Sequence, residues 1–194
     1  DIEKLKEMAL RDPLVLRKIQ RLLYSVDEEL MWRAVTTLGR VAGALAIKRP
    51  TLVGDLVRRL LLATADSAAT NWGSVETIGE IIRAQPVIYG SFVQHLVGFL
   101  NDPPSRPSVL WAIGRIGELY PKLVRSTAFF ALFNLLKEPS AKVRGHAAWA
   151  FGRIRAQEAL KVLQEMRDDA EELNLFDGDK ITHTTVGKLA SEAV

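Results

Sequence analysis

The sequence predicts an all-α fold: a right-handed α-α superhelix, or solenoid, of about four stacked helical pairs. Three observations predict it. A short pattern recurs as WRAVTTLGRV around Gly39, WGSVETIGEI around Gly79, PSVLWAIGRI around Gly114 and GHAAWAFGRI around Gly152, at intervals of 40, 35 and 38 residues. Such a period marks units that are stable only when stacked on their neighbours. Within each copy the apolar positions fall three and four residues apart, as on one face of a helix. Prolines and Asp/Asn/Ser clusters then punctuate the chain at matching places.

The elements follow in chain order. Residues 1–25 are expected to form capping helices, with Pro13, Leu14, Ile19, Leu22 and Leu23 marking a helix from about 13 to 24. Arg17, Lys18 and Arg21 give it the polar outer face that the end of a repeat stack needs. Four repeats follow, at 26–66, 67–103, 104–140 and 141–167. The first helix of each carries a core stripe: Val35, Leu38 and Val41; Val75, Ile78 and Ile81; Leu110, Ile113 and Ile116; Ala148, Phe151 and Ile154. The repeated glycine sits inside that helix, where it costs about 1 kcal/mol relative to alanine. Close approach of the partner helix is the expected reason.

Those partner helices are marked by Leu52, Val53, Leu56, Val57, Leu60 and Leu61; by Phe92, Val93, Leu96, Val97 and Leu100; by Phe129, Leu132, Phe133 and Leu136; and by Ala159, Leu160, Leu163 and Met166. Pro50, Pro86 and Pro121 separate first from second helices. Residues 168–194 break the pattern. Leu173–Phe176, Asp177-Gly178 and Asp179–Thr185 read as a β-hairpin with a type I′ turn. A last helix, capped by Thr185, runs from Val186 to Ala193 and closes the stack, so that the whole reads as one domain.

The fourth copy carries a resemblance. Its Val143-Arg144 and Ala147-Ala148-Trp149-Ala150-Phe151-Gly152-Arg153-Ile154 resemble the V-R-x-x-A-A-x-A-L-G-x-I signature of HEAT-like repeats of the phycobilin-lyase type. The other copies match more loosely, with Leu30, Thr70 and Ser105 in place of the valine and only Arg106 keeping the arginine. The segments NWGSVETIGEI, VLWAIGRIG and AAWAFGRI are also similar to a group of bacterial HEAT-like proteins, a likeness that implies no activity. HEAT-like families include scaffolds, bilin lyases, an iron-dependent hydroxylase and DNA-alkylation glycosylases, so the resemblance implies the fold and leaves the function open.

The tryptophans give the sharpest functional signal. Trp32 and Trp72 lie seven residues before their glycines, and Trp111 and Trp149 lie three before theirs. The two positions are four apart and share a helical face opposite the core stripe. Arg40, Glu80, Arg115 and Arg153 follow each glycine, with Glu76 and His146 nearby. Tryptophan and arginine are enriched at binding hot spots. Two readings of the row stand open, and one is an exposed ridge that binds a partner. The alternative is that the rings lie flat between repeats or under a terminal segment.

Catalytic chemistry is not visible. The chain has no cysteine, and its three histidines, His95, His146 and His183, are far apart in sequence. No catalytic residue, metal ligand or cofactor is expected. Glu76 with Glu80, four apart on one helix, could form a paired-carboxylate site, with a solvated helix face as the default reading. Residues 1–164 carry a net charge of +8 and residues 165–194 a net of −5. The basic body admits nucleic acid as a partner. The charged start DIEKLKEMALRD and interrupted apolar runs point away from a signal peptide and a membrane span, and toward the cytoplasm. The reading that follows is a noncatalytic scaffold for a protein partner. The alternatives are a ligand-binding or enzymatic protein of bilin-lyase type and a nucleic-acid binder of the DNA-alkylation-repair type.

Overall fold

The computed structural model describes residues 2–65 and 73–194. Two compact units divide the chain, residues 1–91 and 92–194. Trp72 and the expected boundary at 66/67 lie outside the described residues.

The first unit opens with α1 (Ile2–Arg11) and α2 (Leu14–Arg21), the latter ending in a single 3-10 turn, Leu22–Tyr24. Next come α3 (Glu28–Leu45), α4 (Pro50–Ala65), α5 (Ser74–Ala84) and the short α6 (Pro86–Tyr89). Asp27 begins α3: its carboxylate accepts from the Leu30 amide at 3.1 Å, and Glu28 and Glu29 add negative charge to the first turn. Proline opens both α4 and α6, where its missing N–H costs nothing. Val35, Leu38 and Ala42 of α3, Val53 and Leu56 of α4, and Val75, Ile78 and Ile82 of α5 are fully buried and form the core.

The second unit repeats the scheme. It contains α7 (Val93–Gly98), α8 (Arg106–Leu119), α9 (Pro121–Thr127), α10 (Phe129–Phe133), α11 (Ala141–Ile154) and α12 (Leu160–Glu165). Two strands, β1 (Glu172–Phe176) and β2 (Ile181–Thr185), and a final helix, α13 (Val186–Glu192), complete it. Phe151 is central to its core: Phe129 and Phe133 meet it edge-on, with ring centroids 5.7 and 5.9 Å away. The strands pair antiparallel, Glu172 with Thr185 through Phe176 with Ile181. Thr185 caps α13, accepting from the Lys188 amide at 3.2 Å.

Two local expectations are corrected. Positive φ in the hairpin turn is confined to Gly178 (φ +110°). A type I′ turn needs it at both central residues, whereas glycine at the first alone is the type II′ pattern. The repeated glycines are inside first helices, but the partner helix is not what approaches them. A Cβ on Gly39 would stand 2.3 Å from the Cβ of Glu80 in α5, and one on Gly114 would stand 2.3 Å from the Trp149 ring in α11. A Cβ on Gly152 would meet Ala193, just past α13, at 2.8 Å. The glycines let the first helix of one repeat lie against the first helix of the next. The terminal helix α13 takes that same place after α11.

Candidate partner-binding face

The first helices must cover two faces at once. One carries the core stripe. The opposite one carries the tryptophans and arginines. On α8 the run from Val109 through Gly117 is buried all round, so that second face has a cover of its own.

The chain's own tail is part of that cover. The Trp111 indole N–H donates to the Phe176 carbonyl at 2.6 Å, and the two rings lie 6.1 Å apart at a tilt of 35°. Arg115, one turn further along, stands 5.6 Å from the Trp111 ring centroid and donates to the Asp177 carbonyl at 3.4 Å. At Gly178 a Cβ would fall 2.4 Å from the Arg115 guanidinium, so both the positive φ and the space demand glycine. The hairpin tip thus lies on α8 as an extended segment held by an indole and a guanidinium. Burial alone would raise the Asp177 carboxyl. The Lys180 and Asp179 amides, which donate to it at 3.0 and 2.9 Å, with the Lys180 and Arg153 charges, outweigh burial and hold it below the usual range.

The base of the tail is anchored by residues that periodicity does not reveal. Arg144 donates twice to one Asp169 carboxylate oxygen, at 3.0 and 2.8 Å, and to the carbonyls of Glu138 and Pro139 at 2.8 and 2.7 Å. Leu173 packs where a Gly145 Cβ would be, 2.6 Å away. The Gly187 amide reaches the Asp169 carbonyl at 2.8 Å.

On α11 the same two positions hold Trp149 and Arg153. The Arg153 guanidinium lies 5.2 Å from the Trp149 ring centroid and pairs with Glu118 of α8 at 2.7 Å. Glu118 also pairs with Arg115 at 3.5 Å, which links the two arginines. Here the described residues give the indole N–H no carbonyl partner from the hairpin. Instead a cavity of ≈ 310 Å³ opens between α11 and α13, lined by Trp149, Gly152, Arg153, Leu189, Glu192 and Ala193. The Trp149 indole N–H makes no hydrogen bond within the described residues.

Of the two readings of the row, the exposed ridge is the one corrected: Trp32, Trp111 and Trp149 are 8%, 0% and 6% exposed. Glu76, Glu80, Arg115 and His146 are buried as well. Of the expected site residues, Arg40 is exposed and Arg153 half-exposed. Arg40 borders an open depression with Ile2, Glu3, Lys6, Gly43 and Ala84 in the first unit. His146 is sealed: its Nδ1 donates to the Lys142 carbonyl at 2.7 Å, and burial pushes its pKa down to about 4. Within the second unit the fold brings Trp111, Arg115, Trp149 and Arg153 together through Glu118. Glu118, Asp177, Arg144 and Asp169 were missed. The visible signal was α8 itself, too apolar on every side for a helix with one wet face. Among the described residues no three His, Asp or Glu side chains gather as a metal-binding set.

First helices stacked through glycine notches, each backed by shorter second helices, define a helical-repeat protein, armadillo-like in fold. No protein-family model matches the sequence. The mouse AP-3 complex subunit beta-2 is 31% identical over 114 residues, covering 57% of this chain and 10% of the relative. The bovine AP-3 complex subunit beta-1 is 29% identical over 121 residues, covering 59% of this chain and 11% of the relative. The chain spans about a tenth of the length of these curated relatives. Among solved structures, a designed armadillo repeat protein in complex with the peptide (KR)4 superposes with a TM-score of 0.54 at 20% identity. That match covers 99% of this chain and 89% of the designed one. No helix among the described residues is long and apolar enough to cross a membrane.

Proposed function

We propose that this chain is a noncatalytic scaffold of HEAT-like repeats that binds a protein partner at the Trp149–Arg153 face of α11. The observation that carries this reading is the cavity between α11 and α13. It sets a half-exposed guanidinium beside an indole whose N–H lacks an internal acceptor, the residue pair most enriched at binding hot spots. That N–H is not among the buried polar atoms that lack a partner, so it reaches solvent and takes an acceptor from outside without rearrangement. Similarity to AP-3 complex subunits and to a designed armadillo repeat protein in complex with a peptide supports a binding role in the same sense. The enzymatic alternative requires polar groups converging in a pocket. The α11–α13 cavity offers one arginine and one glutamate, Arg153 and Glu192.

The test is affinity capture from the source cell's extract with the wild type and with Arg153→Glu. Proteins retained by the first and lost with the second support the reading. An identical set from both baits removes it.

A further inference from the structure

The repeat symmetry of the second unit identifies the kind of segment that fits the open site. Trp111 and Trp149 each stand three residues before the repeated glycine, and Arg115 and Arg153 each one after it. The two pairs share one geometry: guanidinium over indole at 5.6 Å in α8 and 5.2 Å in α11. In α8 the pair already holds an extended segment. The Trp111 N–H takes the carbonyl of Phe176, the Phe176 ring lies against the indole, and Arg115 takes the carbonyl of Asp177. In α11 the equivalent pair borders a cavity and the Trp149 N–H makes no such bond.

We infer that the Trp149–Arg153 site binds an extended segment of a partner protein in which an aromatic residue is followed by an acidic one, as Phe176-Asp177 is bound on α8. The inference rests on the scaffold reading above and adds the partner's chemistry. The donors fix the backbone part: an indole N–H and a guanidinium one helical turn apart reach successive carbonyls of an extended chain, which a helical ligand keeps for its own hydrogen bonds. The aromatic residue follows from the ring pair Phe176–Trp111 on α8, whose counterpart Trp149 lines the cavity, since offset or tilted ring pairs are favourable. The acidic residue follows from the repeat analogy, since Asp177 follows Phe176 in the segment held on α8. At α11 the bound segment's carboxylate shares the half-exposed Arg153 guanidinium with Glu118 and faces Glu192 in the cavity lining. Leu189 and Ala193 supply the apolar wall on the α13 side.

The experiment uses the full chain and a labelled peptide of its own tip sequence, Leu-Asn-Leu-Phe-Asp-Gly-Asp, followed by fluorescence anisotropy. Saturable binding is expected, weakened about tenfold or more by Arg153→Glu and by replacing the peptide's Phe-Asp with Ala-Lys. Circular dichroism checks that the variant is folded. Absence of saturable binding up to about 1 mM peptide overturns the inference. So does binding that Arg115→Ala abolishes and Arg153→Glu leaves unchanged, because the peptide would then be displacing the tail on α8. If the peptide fails while partner capture still depends on Arg153, the partner chemistry is wrong and the scaffold reading stands. If capture also ignores Arg153, both fall.

Discussion

Helices α8 and α11 carry the same residues at the same repeat positions and have opposite surroundings. Trp111 is sealed by the hairpin tip and its N–H is satisfied at 2.6 Å. Trp149 rests its ring edge in the Gly114 notch, and the other side of the site borders a cavity. The repeat pattern sets the side chain; the tail sets what covers it. One extended segment, five residues of strand and a tight turn, is enough to seal a Trp–Arg pair into the core. The difference teaches that sequence symmetry in a repeat protein sets which side chains face outward, and the segments that dock on them decide which stay accessible.

The largest expected effect breaks this comparison directly. Trp111→Ala removes a fully buried indole and leaves the Phe176 carbonyl without its indole donor. It should cost about 4–5 kcal/mol in urea unfolding, the upper end for such truncations. Trp149→Ala deletes an equal volume beside an existing cavity and loses no hydrogen bond, so about 3 kcal/mol is expected. If the two costs are equal, or reversed, the hairpin is not what distinguishes the two helices.

Acid sharpens the comparison next. His146 stands in α11 six residues before Gly152, and the residue six before Gly114 is Ser108, so of the two helices only α11 has a titrating group there. Folded His146 has its pKa pushed down to about 4, while the unfolded chain takes up the proton near 6.5. Above pH 6.5 both states are neutral and stability is unaffected. Between 6.5 and about 4 only the unfolded state binds the proton, so stability falls as pH falls through that window. At about 1.4 kcal/mol per unit the loss approaches 3 kcal/mol. Urea titrations at pH 7 and 4.5 on the wild type and His146→Ser measure it. A wild-type pH dependence no steeper than the variant's would show that His146 is not buried in the neutral form.

Much of this architecture was legible before any coordinates. Gly39, Gly79, Gly114 and Gly152 all stand in equivalent helices, Pro50, Pro86 and Pro121 all open second-layer helices, and the tail is a hairpin followed by a Thr-capped helix. These follow from local rules: period, helix-terminal chemistry and turn residues. What was not legible depends on where distant segments dock. That Trp111 lies beneath residue 176, 65 positions away, is a tertiary fact, and so is the Arg144–Asp169 clamp that holds the tail in place. Whether the tryptophan row is bare or covered stayed open in the sequence, because periodicity assigns faces and is silent on lids; the structure covers it. The same limit explains the glycines: spacing shows that something approaches, and packing shows that it is the next first helix.

The smallest expected effect tests that packing. Gly114→Ala would place a Cβ 2.3 and 2.7 Å from two atoms of the Trp149 ring and 3.2 Å from the Ala150 backbone. The ring can tilt toward the cavity, but the backbone contact remains, so about 1–3 kcal/mol of destabilisation is expected despite alanine's better helix propensity. Gly54, inside α4, has nothing within 4 Å of its Cβ position, and Gly54→Ala should stabilise by about 0.5–1 kcal/mol. The opposite signs are read from paired urea curves. Combining Gly114→Ala with Trp149→Ala removes the ring that the new methyl strikes, so the double variant should lose less than the two single losses added. Simple additivity would mean that Trp149 does not sit in the Gly114 notch, and that α8 and α11 differ for a reason other than what lies over each indole.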